Sequence, residues 1–277
     1  MTRTDPLPAR IHNRFLNFLL LSLYRSPDFP ARLRIFTNLE RLFGSKRICA
    51  RSKYGFFMAV DREDIVQRSV LDTGLWEQEC SDAIRRELNP QDVFFDVGCN
   101  VGYHTLLALT CGVRKVVSFD PDPANCDALH LNLGLNKWNF GHCSVECCGV
   151  GDKESSEVFY RSQISNTGQS GFLARNVSKC FKVSVITLDA LIGSGAVPPP
   201  TVMKLDVEGW ESRVLKGFEN FLHKAPPRFI FFECNSESGV TEKNAVWSIL
   251  GAAGYHITRV EDREFRIHSN FVASHPI

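Results

Sequence analysis

The sequence predicts an α/β fold: a Rossmann-like, mostly parallel sheet with helices on both faces and an antiparallel hairpin at one edge. Three observations predict it. Apolar runs of strand length alternate with helical stretches from residue 54 onward, the pattern of a doubly wound sheet. A glycine-bearing turn, Asp96-Val97-Gly98-Cys99-Asn100-Val101-Gly102, joins an apolar run to the helix that follows. The last two strand-like runs, 255–260 and 265–272, flank a turn at Glu261-Asp262-Arg263 and supply the antiparallel edge.

Taken in order, residues 1–50 read as an N-terminal helical extension, broken by Pro27 and Pro30, and residues 51–277 as the main domain. Within the extension, the apolar run 15–24 is flanked by Arg10, Arg14 and Arg25. It is too short for a membrane span, which needs about 20 residues, and no small-residue cleavage site follows it. A helix docked on the domain is the favoured reading. An interfacial helix touching a membrane through residues 11–24 is the alternative.

Residues 54–60 read as a strand and 77–88 as a helix ending at Asn89-Pro90. Then come strand 93–97, helix 103–111, strand 115–119 and helix 123–135, with strands at 145–150 and 158–160. The polar stretch 161–178 reads as a loop, 181–186 as a strand, 188–192 as a short helix and 193–200 as a proline-rich linker. Strand 202–205, helix 211–222, strand 229–233 and helix 242–252 complete the alternation, and there is no internal repeat.

The 277 residues, 44% of them hydrophobic, are enough for one sizeable core. Lys and Arg number 32 against 31 Asp and Glu, so the basic excess of a nucleic-acid binder is missing. Ten cysteines stand without a C-x-x-C pair, several inside apolar runs. They predict buried free thiols and a reducing, cytoplasmic setting. Cys143, Cys147 and Cys148 beside His142 form the closest approach to a zinc set, but no second ligand pair stands at finger spacing.

Ligands of such sheets bind beyond the carboxyl ends of the strands. Gly98 permits a tight turn, and Gly102 lets the backbone approach a ligand. The first helical amides then face a carboxylate. Asp120 ends the next strand 24 residues after Asp96, where an acid accepts hydrogen bonds from the two ribose hydroxyls of an adenosine. The spacing is not the G-x-G-x-x-G of a dinucleotide site. Asp96 would repel a diphosphate but suits the ammonium of a methionine moiety. The turn therefore favours S-adenosylmethionine over NAD, with adenine placed near Cys148 and Gly149.

The strand 202–205 ends in Lys204, Asp206 and Glu208. A methyl transfer needs an acceptor oxygen aligned and its proton accepted. Asp206 or Glu208 would do this, with Lys204 holding the acids or a developing oxyanion; a salt-bridged network fixing the strand end is the structural alternative. Glu233 either lines the pocket or pairs with Lys204. His104 reads as a packed or surface histidine. Asp206 and Glu208 make no convincing octahedral site, so no metal is expected.

These residues carry a resemblance. Tyr54-Gly55 to Asp61, Trp76-Glu77, the turn from Asp96 through Tyr103, Phe119-Asp120-Pro121, Thr187-Leu188-Asp189, and Lys204-Leu205-Asp206-Val207-Glu208-Gly209 resemble the FkbM-type methyltransferases over residues 51–275. The resemblance implies a class I methyltransferase fold and S-adenosylmethionine as donor. It implies O-methylation of a hydroxyl on a sugar, glycan or other small molecule, and the balanced charge points to no nucleic-acid partner. It implies that Glu77, Asn100, Tyr103 and Cys148 join Asp96, Gly98, Gly102 and Asp120 at the cofactor. Cys99 stands where the family usually has alanine, and Asp120 where it usually has glutamate. A non-catalytic module that keeps the cofactor pocket, or less so a nucleotide-dependent oxidoreductase, are the competing readings.

Overall fold

A computed structural model of the chain describes residues 14–25, 31, 34–35, 38, 47–136, 140–162, 167–173, 177–235, 239–260 and 268–276. Helix α1 (Arg14–Arg25) is followed by β1 (Arg47–Arg51) and β2 (Phe57–Asp61), then α2 (Ile65–Thr73) and α3 (Gln78–Glu87). The alternating part runs β3 (Val93–Val97), α4 (Tyr103–Thr110), β4 (Lys115–Phe119), α5 (Pro123–Leu135) and β5 (Cys143–Glu146). Next come β6 (Gly149–Val150), β7 (Ser155–Ser162), β8 (Val177–Ile186), α6 (Leu188–Gly193) and β9 (Val202–Leu205). The chain closes with α7 (Glu211–Lys216), α8 (Glu219–Lys224), β10 (Phe229–Asn235), α9 (Gly239–Ala252), β11 (His256–Arg259) and β12 (His268–Ser274).

Seven strands form the central sheet in the order β11-β12-β10-β9-β3-β4-β5. All neighbours from β10 to β5 run parallel, while β12 is antiparallel to both β10 and β11. The predicted hairpin is therefore present, with its second strand inserted beside β10. From β3 the chain winds outward through β4 to β5, then returns to lay β9 on the other side of β3. That reversal is the point where parallel sheets open a ligand crevice.

Every residue of β3 and of β9 is buried, because helices cover both faces, so these strands read as apolar runs interrupted only by Asp96 and Lys204. Successive side chains point to opposite faces. Phe94 thus joins Leu106, Leu129 and Phe231 in one core, and Phe95 joins Val117, Met203 and Leu215 in the other. Asn132 ties the β1–β2 hairpin to this frame: its Oδ1 accepts from the Ala59 amide at 2.8 Å and its Nδ2 donates to the Val101 carbonyl at 2.9 Å.

Several boundaries differ from the sequence reading. Strand pairing begins at Arg47, because Ile48 and Ala50 alternate into the core and pair with β2. Helix α2 was not foreseen, although Asp64 caps its first turn (Gln67 N to Oδ1, 2.9 Å) and Gly74 ends it in the left-handed region. The helix expected over 211–222 is divided into α7 and α8. Gly217 marks the break: a Cβ there would lie 1.9 Å from the Gly151 carbonyl oxygen. The stretch read as a loop over 161–178 is partly strand, since β7 and β8 extend into it from both sides.

Helix α1 docks as favoured. Leu20 is buried, Leu21 and Leu23 pack beside it, and Tyr24 Oη donates to Asp72 at 2.5 Å. Among the described residues, no helix is long and apolar enough to cross a membrane.

Candidate active site

The turn after β3 and the end of β9 meet at the sheet's reversal. Gly98 (φ +85°) is required there: a Cβ would fall 1.8 Å from the Asp206 carbonyl oxygen. Gly102 (φ +91°) is required by packing as well: its missing Cβ makes room for Leu129 of α5, whose Cδ1 would be 2.2 Å away. Gly98→Ala is expected to cost roughly 2–5 kcal/mol, the sum of a left-handed Cβ penalty and overpacking against backbone that cannot rotate aside. Gly102→Ala should cost less, because Leu129 is a side chain end. Denaturant midpoints of the two variants check the order; equal losses would contradict it.

Asp96 is held within the turn. It is buried, and its Oδ2 accepts from Thr105 Oγ1 at 2.6 Å. Burial pushes its carboxyl up to about 6. It braces the turn from below and is not among the residues lining the crevice.

Asp120 does line the crevice, at the end of β4. Its Oδ2 accepts from the Asn100 amide at 2.9 Å, and its Oδ1 from the Asp122 amide at 2.9 Å and Asn125 Nδ2 at 3.1 Å. A carboxylate has about four acceptor positions, so three are taken and there is room for about one more donor rather than for two hydroxyls. Burial raises its pKa to about 7. Beside it a narrow pocket is formed by Cys148, Gly149, Phe159 and Phe172. Phe172, which lines this pocket, stacks on Trp210 with ring centroids 4.6 Å apart.

The larger part of the crevice, about 240 Å³, lies over the ends of β3, β9 and β10 and is lined by Glu77, Asn100, His104, Asp206, Glu208 and Glu233, among others. Tyr103 also lines it and accepts the Trp76 amide hydrogen at 3.0 Å, fixing the turn that carries Glu77. Among the described residues, three non-glycine residues have positive φ: Glu77 (42°), Asn100 (49°) and Glu208 (55°). All three line this cavity. Backbone strain of this kind collects at functional sites because the surrounding structure must hold it. For Glu208 the hold is visible: the buried Glu211 carboxylate accepts from the Val207 amide at 3.1 Å and the Gly209 amide at 3.2 Å.

Lys204 lies under the cavity floor, 1% exposed. Its Nζ donates to Asp206 Oδ2 at 2.9 Å. Burial alone would lower its pKa, but Asp206, Glu77 and Glu233 outweigh that and hold the ammonium well above its usual range. It therefore fixes the acids from beneath, and does not line the cavity as an oxyanion contact would. Glu233 both lines the cavity and acts on Lys204.

Four buried side-chain atoms at this cavity have no hydrogen-bond partner: Glu77 Oε2, Asn100 Oδ1, His104 Nε2 and Asn270 Oδ1. His104 and Glu77 face each other at 3.9 Å. Burial, then Lys204, pushes His104 well below the usual histidine range, and burial raises Glu77 to about 7. The sequence reading left His104 as a packed or surface residue and overlooked Asn270. His104 stands two residues past Gly102, in the first turn of the helix, so the glycine spacing held a signal for it; Asn270 comes from a distant strand and had none.

Glu77, Cys80 and His104 place donor atoms within 4.8 Å of one another, the one such group among the described residues. The Lys204 ammonium acts on all three and opposes a second cation there. The set of His142, Cys143, Cys147 and Cys148 does not converge. Cys143 is buried in the sheet core, while Cys147 is an exposed free thiol.

Residues 96–257 match the family model of the methyltransferase FkbM domain. The chain is 30% identical over 168 residues to the hexuronic acid methyltransferase AglP of Haloferax volcanii, a stretch covering 61% of this chain and 65% of that protein. The crystal structure of methyltransferase FkbM from Methylobacillus flagellatus KT matches at 18% identity with a TM-score of 0.50, over 98% of this chain and 61% of that one. The chain thus spans less than two thirds of the length of either relative. The likeness to the solved structure is one of fold, and that fold is the class I methyltransferase fold predicted from the sequence.

Proposed function

The chain belongs to the FkbM methyltransferase family, and on that premise we propose that it transfers a methyl group from S-adenosylmethionine to a hydroxyl of a sugar, glycan or other small molecule. The observation that carries this reading is the set of partnerless buried atoms on Glu77, Asn100, His104 and Asn270 beside Asp120. Each such atom costs about 1–3 kcal/mol unless a ligand meets it. The cofactor supplies an electrophilic methyl carried on a sulfonium. Asp120 would orient its ribose, the pocket of Cys148 and Phe172 its adenine, and Asn100 with Glu77 its methionine end. The name of the Haloferax relative supports a sugar acceptor.

On the acceptor side, Lys204 occupies Asp206 Oδ2, and we assign Asp206 Oδ1 to take the proton of the acceptor hydroxyl. Glu208 and Glu233 position that hydroxyl, and Glu211 keeps Glu208 in its left-handed turn. Gly168 and Phe172 border the crevice on this side. Screening acceptors with a labelled methyl donor tests the reading. Methyl ethers are the expected products; methyl esters or methylated amines would overturn the hydroxyl assignment.

The raised carboxyls set a pH dependence. Asp120 and Glu77 are held near 7 by burial, so below that pH the ligand-free protein keeps them largely protonated. Both would serve the cofactor as carboxylates, one toward hydroxyls and one toward an ammonium. S-adenosylhomocysteine affinity is therefore expected to rise from pH 6 to pH 8, with proton release on binding below about 7. Calorimetry in buffers of different ionisation heat checks this, and a flat profile would contradict it.

A further inference from the structure

The narrow pocket beside Asp120 has two sides that come from different parts of the chain. One is the turn from β4 into α5, with Asp120, Pro121 and Asn125; the other is β7 and the segment after it, with Phe159, Gly171 and Phe172. An ion pair joins them. Arg161 of β7 donates from Nε to Asp122 Oδ2 at 2.5 Å and from Nη2 to Asp122 Oδ1, the two-pronged form in which a guanidinium holds a carboxylate most firmly. Asp122 is buried, and the same carboxylate caps α5, its Oδ1 accepting from the Ala124 amide at 2.8 Å. Neither Arg161 nor Asp122 lines the pocket, so their contact acts on it through neighbours. On one side, the Asp122 amide donates to Asp120 Oδ1 at 2.9 Å, and a shift of Asp122 moves the acid assigned to the ribose. On the other, side chains two apart on a strand share a face. Arg161 lies over the Phe181 ring, 5.3 Å from its centroid, and Phe159 packs on Phe181 at 5.7 Å and on Phe172 at 5.5 Å. Backbone hydrogen bonds of 2.9 and 3.0 Å between Tyr160 and Gly171 tie the rest of that side to β7.

We propose that Arg161 is a positioning residue for the cofactor: its grip on Asp122 holds the aromatic side of the adenine pocket against the ribose-binding turn and so sets the width of the pocket. The inference rests on the S-adenosylmethionine reading of this crevice and adds the residue that keeps its adenosine half together.

The test measures, by calorimetry on the full chain, affinities for S-adenosylhomocysteine and for methylthioadenosine, which keeps the adenosine and lacks the amino-acid end. Arg161→Met is expected to weaken both by the same factor, about tenfold, the loss of one charge-assisted contact. A loosening of the whole crevice would instead weaken S-adenosylhomocysteine more, because the end assigned to Glu77 and Asn100 would suffer as well. Arg161→Lys keeps the charge and loses the fork, so its affinities should fall between. Asp122→Asn keeps the helix cap, since asparagine caps about as well as aspartate. It should lose about as much as Arg161→Met, and it carries the test if Arg161→Met fails to fold. The two changes together should lose no more than either alone, because both break one contact. Unchanged affinity for methylthioadenosine, a larger loss for S-adenosylhomocysteine than for methylthioadenosine, or additive losses in the pair would overturn the proposal. An unaltered chain that binds neither ligand would overturn the cofactor reading, and this inference with it.

Discussion

Asp206→Asn is expected to lower kcat by about 10²- to 10⁴-fold, the usual contribution of a positioned general base, while leaving S-adenosylhomocysteine affinity within a few-fold. The amide oxygen of asparagine can still accept from Lys204 Nζ, now 2.9 Å from the carboxylate, so the floor of the cavity is kept. What is lost is the oxygen that takes the acceptor's proton. Glu208→Gln on the same turn should fall less, because Glu208 is assigned to orient the hydroxyl rather than to deprotonate it. Steady-state rates with the acceptor found by screening decide the matter. Full turnover by Asp206→Asn would remove Asp206 from the chemistry and leave it as the structural partner of Lys204.

Lys204→Met is expected to destabilise the protein by about 3–5 kcal/mol. Removing one member of a buried charge set strands the others, and here Glu77, Asp206 and Glu233 all draw on this one ammonium. Methionine has nearly the length of the lysine stem, so packing changes little and the loss reports charge. Adding Asp206→Asn to Lys204→Met should recover part of it, since one stranded carboxylate is then gone; the two changes are in contact and need not add. Denaturant midpoints at unchanged slope are the measurement. A loss under about 1 kcal/mol would mean that the three acids do not rely on Lys204.

Much of this was legible in the sequence, for physical reasons. Strands such as Val93–Val97 and Val202–Leu205 are buried on both faces, so apart from Asp96 and Lys204 they are apolar and stand out in the sequence. The glycine turn and Asp120 were legible because a tight turn and a strand-end acid leave local traces. The same logic did not foresee how these residues pack. Gly102 makes room for Leu129, and Asp96 bonds Thr105 beneath the turn. Spacing says that room is needed, not what fills it. Helix α2 was overlooked although its caps are local. The approach of Asn270 to the cavity of Glu77, His104 and Glu233 was not legible, because it depends on how β12 packs beside β10. The short hairpin turn and much of the acceptor-side loop, including 163–166 and 261–267, lie outside the described residues, as do residues 11–13 of the segment considered for membrane contact.

The central claim is that the crevice at the β3–β9 reversal holds S-adenosylmethionine and not a dinucleotide. Calorimetric titration of the full chain with S-adenosylhomocysteine and, in parallel, with NAD tests it most directly. The account predicts a dissociation constant on the order of micromolar for the first, about −8 kcal/mol, and no measurable heat for the second. Tight NAD binding with no response to S-adenosylhomocysteine would contradict it.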